Sequence, residues 1–224
     1  MVQTNVVNNL FVSAYAWACE QLYHDYAWSY DWVSWGVSAG AWDVWRRLAL
    51  EAASGRILEL GFGTGELILA ARRAQRSIVG LDRSPQMHAV AQRKLHGAGL
   101  DTPLVQGNAL ALPFATGTFD TIVATFPAGY IVAPAALAEC ARVLATNGCL
   151  VIVGIWIVPQ LAGHGFGLPL LYRAPGDAEL ARFVARIDAA GFATHLAWRR
   201  SKWADVAVVC ARRVSAHDTQ QQPA

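Results

Sequence analysis

The residues best suited to chemistry fall in two short stretches. Ile57-Leu58-Glu59-Leu60-Gly61-Phe62-Gly63-Thr64-Gly65 places a glycine-rich turn directly after an apolar run and before a helical pattern. Glycines there let the backbone turn sharply and come close to a ligand, and the free N–H groups that open the helix attract an anionic group. The next apolar run, Val79-Gly80-Leu81-Asp82, ends on a carboxylate, which can accept hydrogen bonds from both hydroxyls of a ribose. Glu59, two residues before the first glycine, can receive an ammonium group directly or through water, or can simply cap or pair locally.

A nicotinamide dinucleotide and S-adenosyl-L-methionine both carry a ribose and a charged end, so the spacing has to separate them. The dinucleotide fingerprint runs G-x-G-x-x-G, whereas the third glycine here comes one place early, at Gly65, and is followed by Glu66. A glutamate at that point also brings negative charge toward a pyrophosphate. An amine-bearing ligand suits Glu59 better.

These groups need strands and helices to hold them. From Gly55 onward short apolar runs alternate with helical periodicities, the pattern of βα units and a parallel sheet. Strands are expected at Arg56–Leu60, Ser77–Leu81, Leu104–Gln106, Thr118–Ala124 and Cys149–Ile157, with helices at Gly65–Ala74, Pro85–Ala98 and Pro134–Leu144. An irregular segment to Gly176 precedes a helix at Asp177–Ala190 and two last strands, Thr194–Trp198 and Ala204–Ala211. The fold class is α/β, a single doubly wound Rossmann-like, mostly parallel seven-stranded sheet. Residues 1–54 form an aromatic helical cap, 55–213 the ligand-binding core and 214–224 a polar tail. In the cap Trp17, Trp28, Trp32, Trp35, Trp42 and Trp45 recur at spacings that suit helices with wide apolar faces.

Composition narrows the classes. With 224 residues, 54% hydrophobic and 15% charged, the chain supports one domain with a buried core. A net charge of +2 without a basic run makes nucleic acid an unsuitable partner. Cys19, Cys140, Cys149 and Cys210 lack CxxC spacing and lie in no Cys/His cluster, so no metal site is expected and the thiols serve as reduced apolar residues. The polar residues Met1 to Asn9 do not resemble a secretory signal, and a cytoplasmic location is expected. The charge-free stretch from Val143 to Tyr172 is long enough for a membrane helix, but Asn147-Gly148, Pro159, Gly163, Gly165, Gly167 and Pro169 interrupt it; it reads as a buried strand followed by an apolar loop.

The motifs and their order resemble the class I S-adenosylmethionine-dependent methyltransferases, in particular the branch with the ubiquinone and menaquinone methyltransferases, over about Tyr26 to Arg213. Glu59 to Gly65 looks like the motif whose glycines pass beneath the amino-acid end of the cofactor, which assigns Glu59, Gly61, Phe62, Gly63 and Gly65 to that end. Gly80-Leu81-Asp82-Arg83-Ser84-Pro85-Gln86-Met87 is similar to the second motif; the resemblance puts Asp82 at the ribose, Arg83 beside it and Met87 near the adenine, although Met87 can equally be core. Gly107-Asn108-Ala109-Leu110-Ala111-Leu112-Pro113-Phe114 resembles the third, with Asn108 and Ala109 at the adenine. The family usually has an aspartate at position 108, and an amide oxygen accepts the adenine amino hydrogen more weakly; Asn108 can also just shape a turn. Arg83 stands where an apolar residue is usual. Leu144 to Leu150 resembles the turn into the fifth strand, and Tyr30-Asp31 the pair in the family's N-terminal helix whose tyrosine reaches the cofactor.

The resemblance implies S-adenosyl-L-methionine as cofactor and in-line methyl transfer to a small-molecule acceptor, and leaves the acceptor unnamed. In open α/β sheets ligands sit beyond the carboxyl ends of the strands. That places Thr125 beside the reacting methyl, with Phe126 and Tyr130 walling an acceptor pocket or filling core. His164, in the glycine-rich loop after the fifth strand, is the candidate base where the acceptor must lose a proton, against the plainer reading of a loop histidine without a role. The aromatic cap and the loop 157–172 point to an apolar acceptor that is quinone-, phenol- or lipid-like. The same surfaces also admit a peripheral membrane contact or a dimer interface, so the oligomeric state stays open. A non-catalytic cofactor-binding or membrane-associated protein and a nicotinamide-dependent oxidoreductase are the alternatives.

Overall fold

A computed structural model of the chain describes residues 41–160, 174–201 and 204–214. Its elements run α1 (Trp42–Ala52), β1 (Ile57–Leu60), α2 (Glu66–Arg73), β2 (Ile78–Asp82), α3 (Pro85–Gly97), β3 (Leu104–Gln106), β4 (Phe119–Thr125), a 3₁₀ turn (Gly129–Val132), α4 (Pro134–Val143), β5 (Leu144–Pro159), α5 (Asp177–Asp188), β6 (Phe192–Ser201) and β7 (Ala204–Arg213). Seven strands make one sheet in the order β3-β2-β1-β4-β5-β7-β6. The first five pair in parallel, and β7 pairs antiparallel with both β5 and β6. This is the expected doubly wound α/β sheet. The chain winds from β1 out to β3 and then crosses to β4 on the other side of β1, so a topological switch point lies between the carboxyl ends of β1 and β4, where such sheets bind ligands.

β1 is buried along its whole length, and its side chains alternate between the two faces. Ile57 joins Trp45, Ala49, Ile68, Ala71, Ala91, Val123, Val151 and Val208 on the face covered by α1, α2 and α3. Leu58 and Leu60 join Ile122, Leu137, Cys140, Leu150, Phe183 and Ile187 on the face covered by α4 and α5. Alternation therefore sends Glu59 to the same side as Ile57, toward α1, into an otherwise apolar layer.

The observed elements depart from the sequence expectation mainly at their ends. α4 stops at Val143 rather than Leu144, and β5 begins at Leu144 because Leu144 already pairs with Phe119 before the next register point, Thr121 with Cys149. The extra residues between them form a bulge that turns through Asn147, whose φ of 64° is left-handed, a conformation asparagine tolerates. β6 and β7 are longer than expected since their antiparallel ladder runs unbroken from Phe192↔Arg213 to Ser201↔Ala204. The strand reading of 149–158 holds, and no described helix is long and apolar enough to cross a membrane. Cys140, Cys149 and Cys210 are free thiols. The cap tryptophans before Ala41, Cys19, most of the loop 157–172 and the polar tail lie outside the described residues.

Candidate functional site

The glycine turn takes the form that its residues require. Gly61, Gly63 and Gly65 have φ of 74°, 53° and 81°, left-handed values that glycine adopts without steric cost. A Cβ on Gly65 would come 2.9 Å from that of Ala91, so this glycine lets α2 and α3 pack; a Cβ on Gly63 would meet no atom within 4 Å. The space above Gly63 is open, as a surface for close ligand approach must be. The turn is fastened to β2 by Asp82, whose Oδ2 accepts the Gly63 N–H at 2.8 Å and whose Oδ1 accepts the Ser84 N–H at 2.8 Å. Ser84 then caps α3 by accepting the Met87 N–H at 3.2 Å.

Electrostatics single out Glu59. It is 2% exposed, and its Oε2 has no hydrogen-bond partner. Burial pushes its carboxyl well above the usual range, the Arg46 guanidinium pulls it down and the Asp82 carboxylate pushes it up again. A buried, unsatisfied carboxylate is costly unless a cation meets it. Arg46 lies beside it on α1 but its guanidinium is bonded to Asp43 at 2.5 Å. Asp82 is also raised, first by burial, with the backbone N–H groups of Ser84, Gly63 and Arg83 lowering it. The chain thus holds two desolvated carboxylates at neighbouring strand ends, one with an unused oxygen.

A cleft at the switch point brings together Trp42, Arg46, Glu59, Gly61, Phe62, Gly63, Thr64, Glu66, Leu67, Thr125 and Phe126. It gathers Glu59, Gly61, Phe62 and Gly63 of the first motif with Thr125 and Phe126 of the β4 end, while Gly65, Asp82, Arg83, Met87, Asn108 and Ala109 are not among its lining residues. Tyr130 reaches the same turn: its hydroxyl donates to Leu60 O at 3.4 Å, and a Cβ on Gly61 would lie 2.9 Å from its Oη. Met87 is fully buried and Arg83 is exposed, its backbone N–H serving Asp82. Asn108 is exposed and its Oδ1 accepts the Leu110 N–H at 3.0 Å, so the amide closes a turn with one lone pair and keeps another for a ligand; Ala109 beside it is half-buried. Tyr30 and His164 lie outside the described residues. Among the described residues no group of three or more His, Cys, Asp or Glu could hold a metal.

Several site features are not legible in the motifs. Glu66 is paired with Lys94, so its charge is offset and does not itself disfavour a pyrophosphate; the early third glycine is what separates the motif from the dinucleotide pattern. Trp42 and Arg46 enter the cleft from α1; the sequence marks Trp42 as part of the aromatic cap, whereas Arg46 carries no signal beyond its place on a helix. Phe126 has φ of 50°, rare for a bulky residue.

A family model described as Methyltransferase domain matches residues 57–148, from β1 into β5. Residues 57–148 thus form a methyltransferase domain. A demethylmenaquinone methyltransferase of Thermus thermophilus is 41% identical over 131 residues, which cover 55% of this chain and 60% of that protein. A phosphatidylethanolamine N-methyltransferase of Cereibacter sphaeroides is 39% identical over 108 residues, 46% of this chain and 52% of that one. The chain thus spans no more than about three fifths of the length of these relatives. A solved geranyl diphosphate C-methyltransferase from Streptomyces coelicolor A3(2) has the same fold, with a TM-score of 0.57 at 13% identity over 77% of this chain and 79% of its own. The expected motifs on β1, β2 and the turn after β3 all fall within the residues that the family model matches, and the cleft shares the first of them.

Proposed function

We propose that this chain transfers a methyl group from S-adenosyl-L-methionine to a lipophilic small-molecule acceptor. The observation that carries the reading is Glu59: a buried carboxylate with an unpartnered oxygen, opening on the same cleft as the glycine turn. The residues present fit the cofactor. Glu59 would take the ammonium, the Gly61–Gly65 turn would pass beneath the amino-acid end, and Asp82 would use its remaining lone pairs on the ribose hydroxyls. Asn108 and Ala109 would border the adenine, with Met87 backing it, Phe62 and Arg83 flanking and Tyr30 closing from the cap. When bound, the cofactor supplies an electrophilic methyl group on a sulfonium whose departure leaves a neutral thioether.

The work of the chain is then alignment and exclusion of water. Glu59 and Asp82 fix the donor from the β1 and β2 ends, while Thr125, Phe126 and Tyr130 border the acceptor side. Where the acceptor must lose a proton, His164 is the candidate to receive it. We place the cap at 1–54 and the core at 55–213, with α1 serving both: it covers the sheet and lends Trp42 and Arg46 to the cleft. The relatives named for demethylmenaquinone and phosphatidylethanolamine support a lipophilic acceptor, in line with the aromatic cap. The test is incubation of the purified chain with methyl-labelled cofactor and a demethylated menaquinol, with phosphatidylethanolamine vesicles and a water-soluble amine in parallel. Label entering a lipophilic product supports the reading; cofactor binding with label entering only the water-soluble amine overturns the acceptor class.

A further inference from the structure

The carboxyl end of β4 concentrates backbone irregularity. Phe126 is left-handed, with φ of 50°, and precedes Pro127, a position from which sterics push residues toward extended backbone. Such a residue costs on the order of 1–3 kcal/mol and persists only when its surroundings over-determine it. They do so here. The Phe126 N–H donates to Val153 O at 2.8 Å, which fixes the backbone to β5. The ring lies flat on Trp42, centroids 4.5 Å apart and planes 8° apart, and tilts against Trp45 at 5.9 Å. Trp45 is itself held by donation of its Nε1–H to Ser201 Oγ at 2.8 Å.

The neighbouring strand is deformed to match. Gly154 has φ of 81°, and a Cβ there would lie 2.3 Å from Cδ1 and 2.4 Å from Cε1 of Phe126. The β5–β7 register slips between Val153 and Ile157, so β5 bulges beside the ring, and bulges next to sites serve to re-aim a side chain. A plain core position would not need a strained residue before proline, a missing Cβ and a bulge to place one phenyl ring half-exposed in a cleft.

We propose that Phe126 is the specificity-determining residue of the acceptor site, positioned by Gly154 and Trp42, and that it selects acceptors with a flat unsaturated ring. The proposal rests on the reading of the cleft as a methyl-transfer site. An aromatic wall favours a planar π system over a saturated ring of the same outline through offset or edge-on contacts, and Glu59 keeps the cofactor end polar, so the two ends of the cleft sort their ligands by different chemistry.

The experiment uses the full chain saturated with S-adenosylhomocysteine and titrated with 1-naphthol and with decahydro-1-naphthol, which differ in unsaturation and flatness. The parent should prefer 1-naphthol by about tenfold. Phe126→Leu and Gly154→Ala should each erase most of that preference while S-adenosylhomocysteine affinity stays within about twofold, and Phe126→Tyr should keep it. If Gly154→Ala does not fold, Gly154→Ala combined with Phe126→Leu removes the crowding, and it should show no preference. An equal affinity of the parent for both probes, or a preference undiminished in Phe126→Leu, overturns the proposal. Failure of the parent to bind S-adenosylhomocysteine would instead remove the methyl-transfer reading on which it rests.

Discussion

The carboxyl ends of β1 and β4 lie side by side in the sheet, and both leave it through left-handed backbone. After β1 the conformation falls on Gly61, Gly63 and Gly65, and after β4 on Phe126. Glycine makes the conformation free of side-chain clash, lets Tyr130 and Ala91 come close at Gly61 and Gly65 and leaves the space above Gly63 open, so the β1 end is shaped by what is missing. At the β4 end a large ring is kept in spite of the conformation, and it is the facing strand that gives way, at Gly154. On the proposed reading the two ends divide one cleft, with backbone and the Glu59 carboxylate for a charged, polar ligand on one side and an aromatic wall on the other.

The sharpest way to break this contrast is to put a side chain on the open turn. Gly63→Val should abolish S-adenosylhomocysteine binding, a loss of at least about 100-fold by calorimetry; no atom stands within 4 Å of the new Cβ, so its cost to the fold is the backbone strain of a β-branched residue at positive φ and not a clash. Retained binding would mean that no ligand passes over Gly63. A smaller loss is expected for Asp82→Ala, which removes a buried acceptor and frees the Gly63 N–H. It should cost about 1–3 kcal/mol, about tenfold or more in cofactor affinity, and unchanged affinity would reject the assignment of Asp82 to the ribose.

Glu59 gives a pH signature. Its folded carboxyl is held above the usual range mainly by burial, so the folded chain binds a proton that the unfolded chain has already released. Its contribution to the stability of the ligand-free chain is present below the unfolded carboxyl pKa and is lost as pH rises through the raised value. Glu59→Gln should therefore raise the ligand-free Tm near neutral pH, by about 2–4 °C for each kcal/mol, with little change at acid pH, and should weaken S-adenosylhomocysteine. An equal Tm difference at both pH values would mean that the group does not titrate as a buried carboxyl.

The smallest effect sharpens the β4 side. Glycine normally destabilises relative to alanine, but at a left-handed position the order reverses. Phe126→Gly should be more stable than Phe126→Ala by about 1 kcal/mol in urea unfolding, although both lose ring packing. The opposite order would show that the backbone at 126 relaxes once the ring is gone.

Much of the β1 side is legible in the sequence because its determinants are local. The three glycines, Glu59 and Asp82 lie within a strand–turn–helix–strand unit, and the strand period sets the face of Glu59 while the turn chemistry sets the rest. The βα alternation that fixes the sheet is local for the same reason. The β4 side is not, since Phe126 is strained only by virtue of Val153, Gly154 and Trp42, residues brought to it by β5 and α1. Periodicity recognises Trp42 as one face of a helix without saying which strand end that face meets. Likewise the Lys94 partner that offsets Glu66 sits on α3, and no spacing rule pairs it with the turn.

On the proposed reading the cleft receives the amino-acid end of S-adenosylmethionine at Glu59 and the glycine turn. Calorimetric titration of the purified chain with S-adenosylmethionine, S-adenosylhomocysteine and a reduced nicotinamide dinucleotide tests it most directly. Heat of binding with the first two and none with the dinucleotide is the predicted result; clear heat with the dinucleotide and none with either sulfur compound would contradict it.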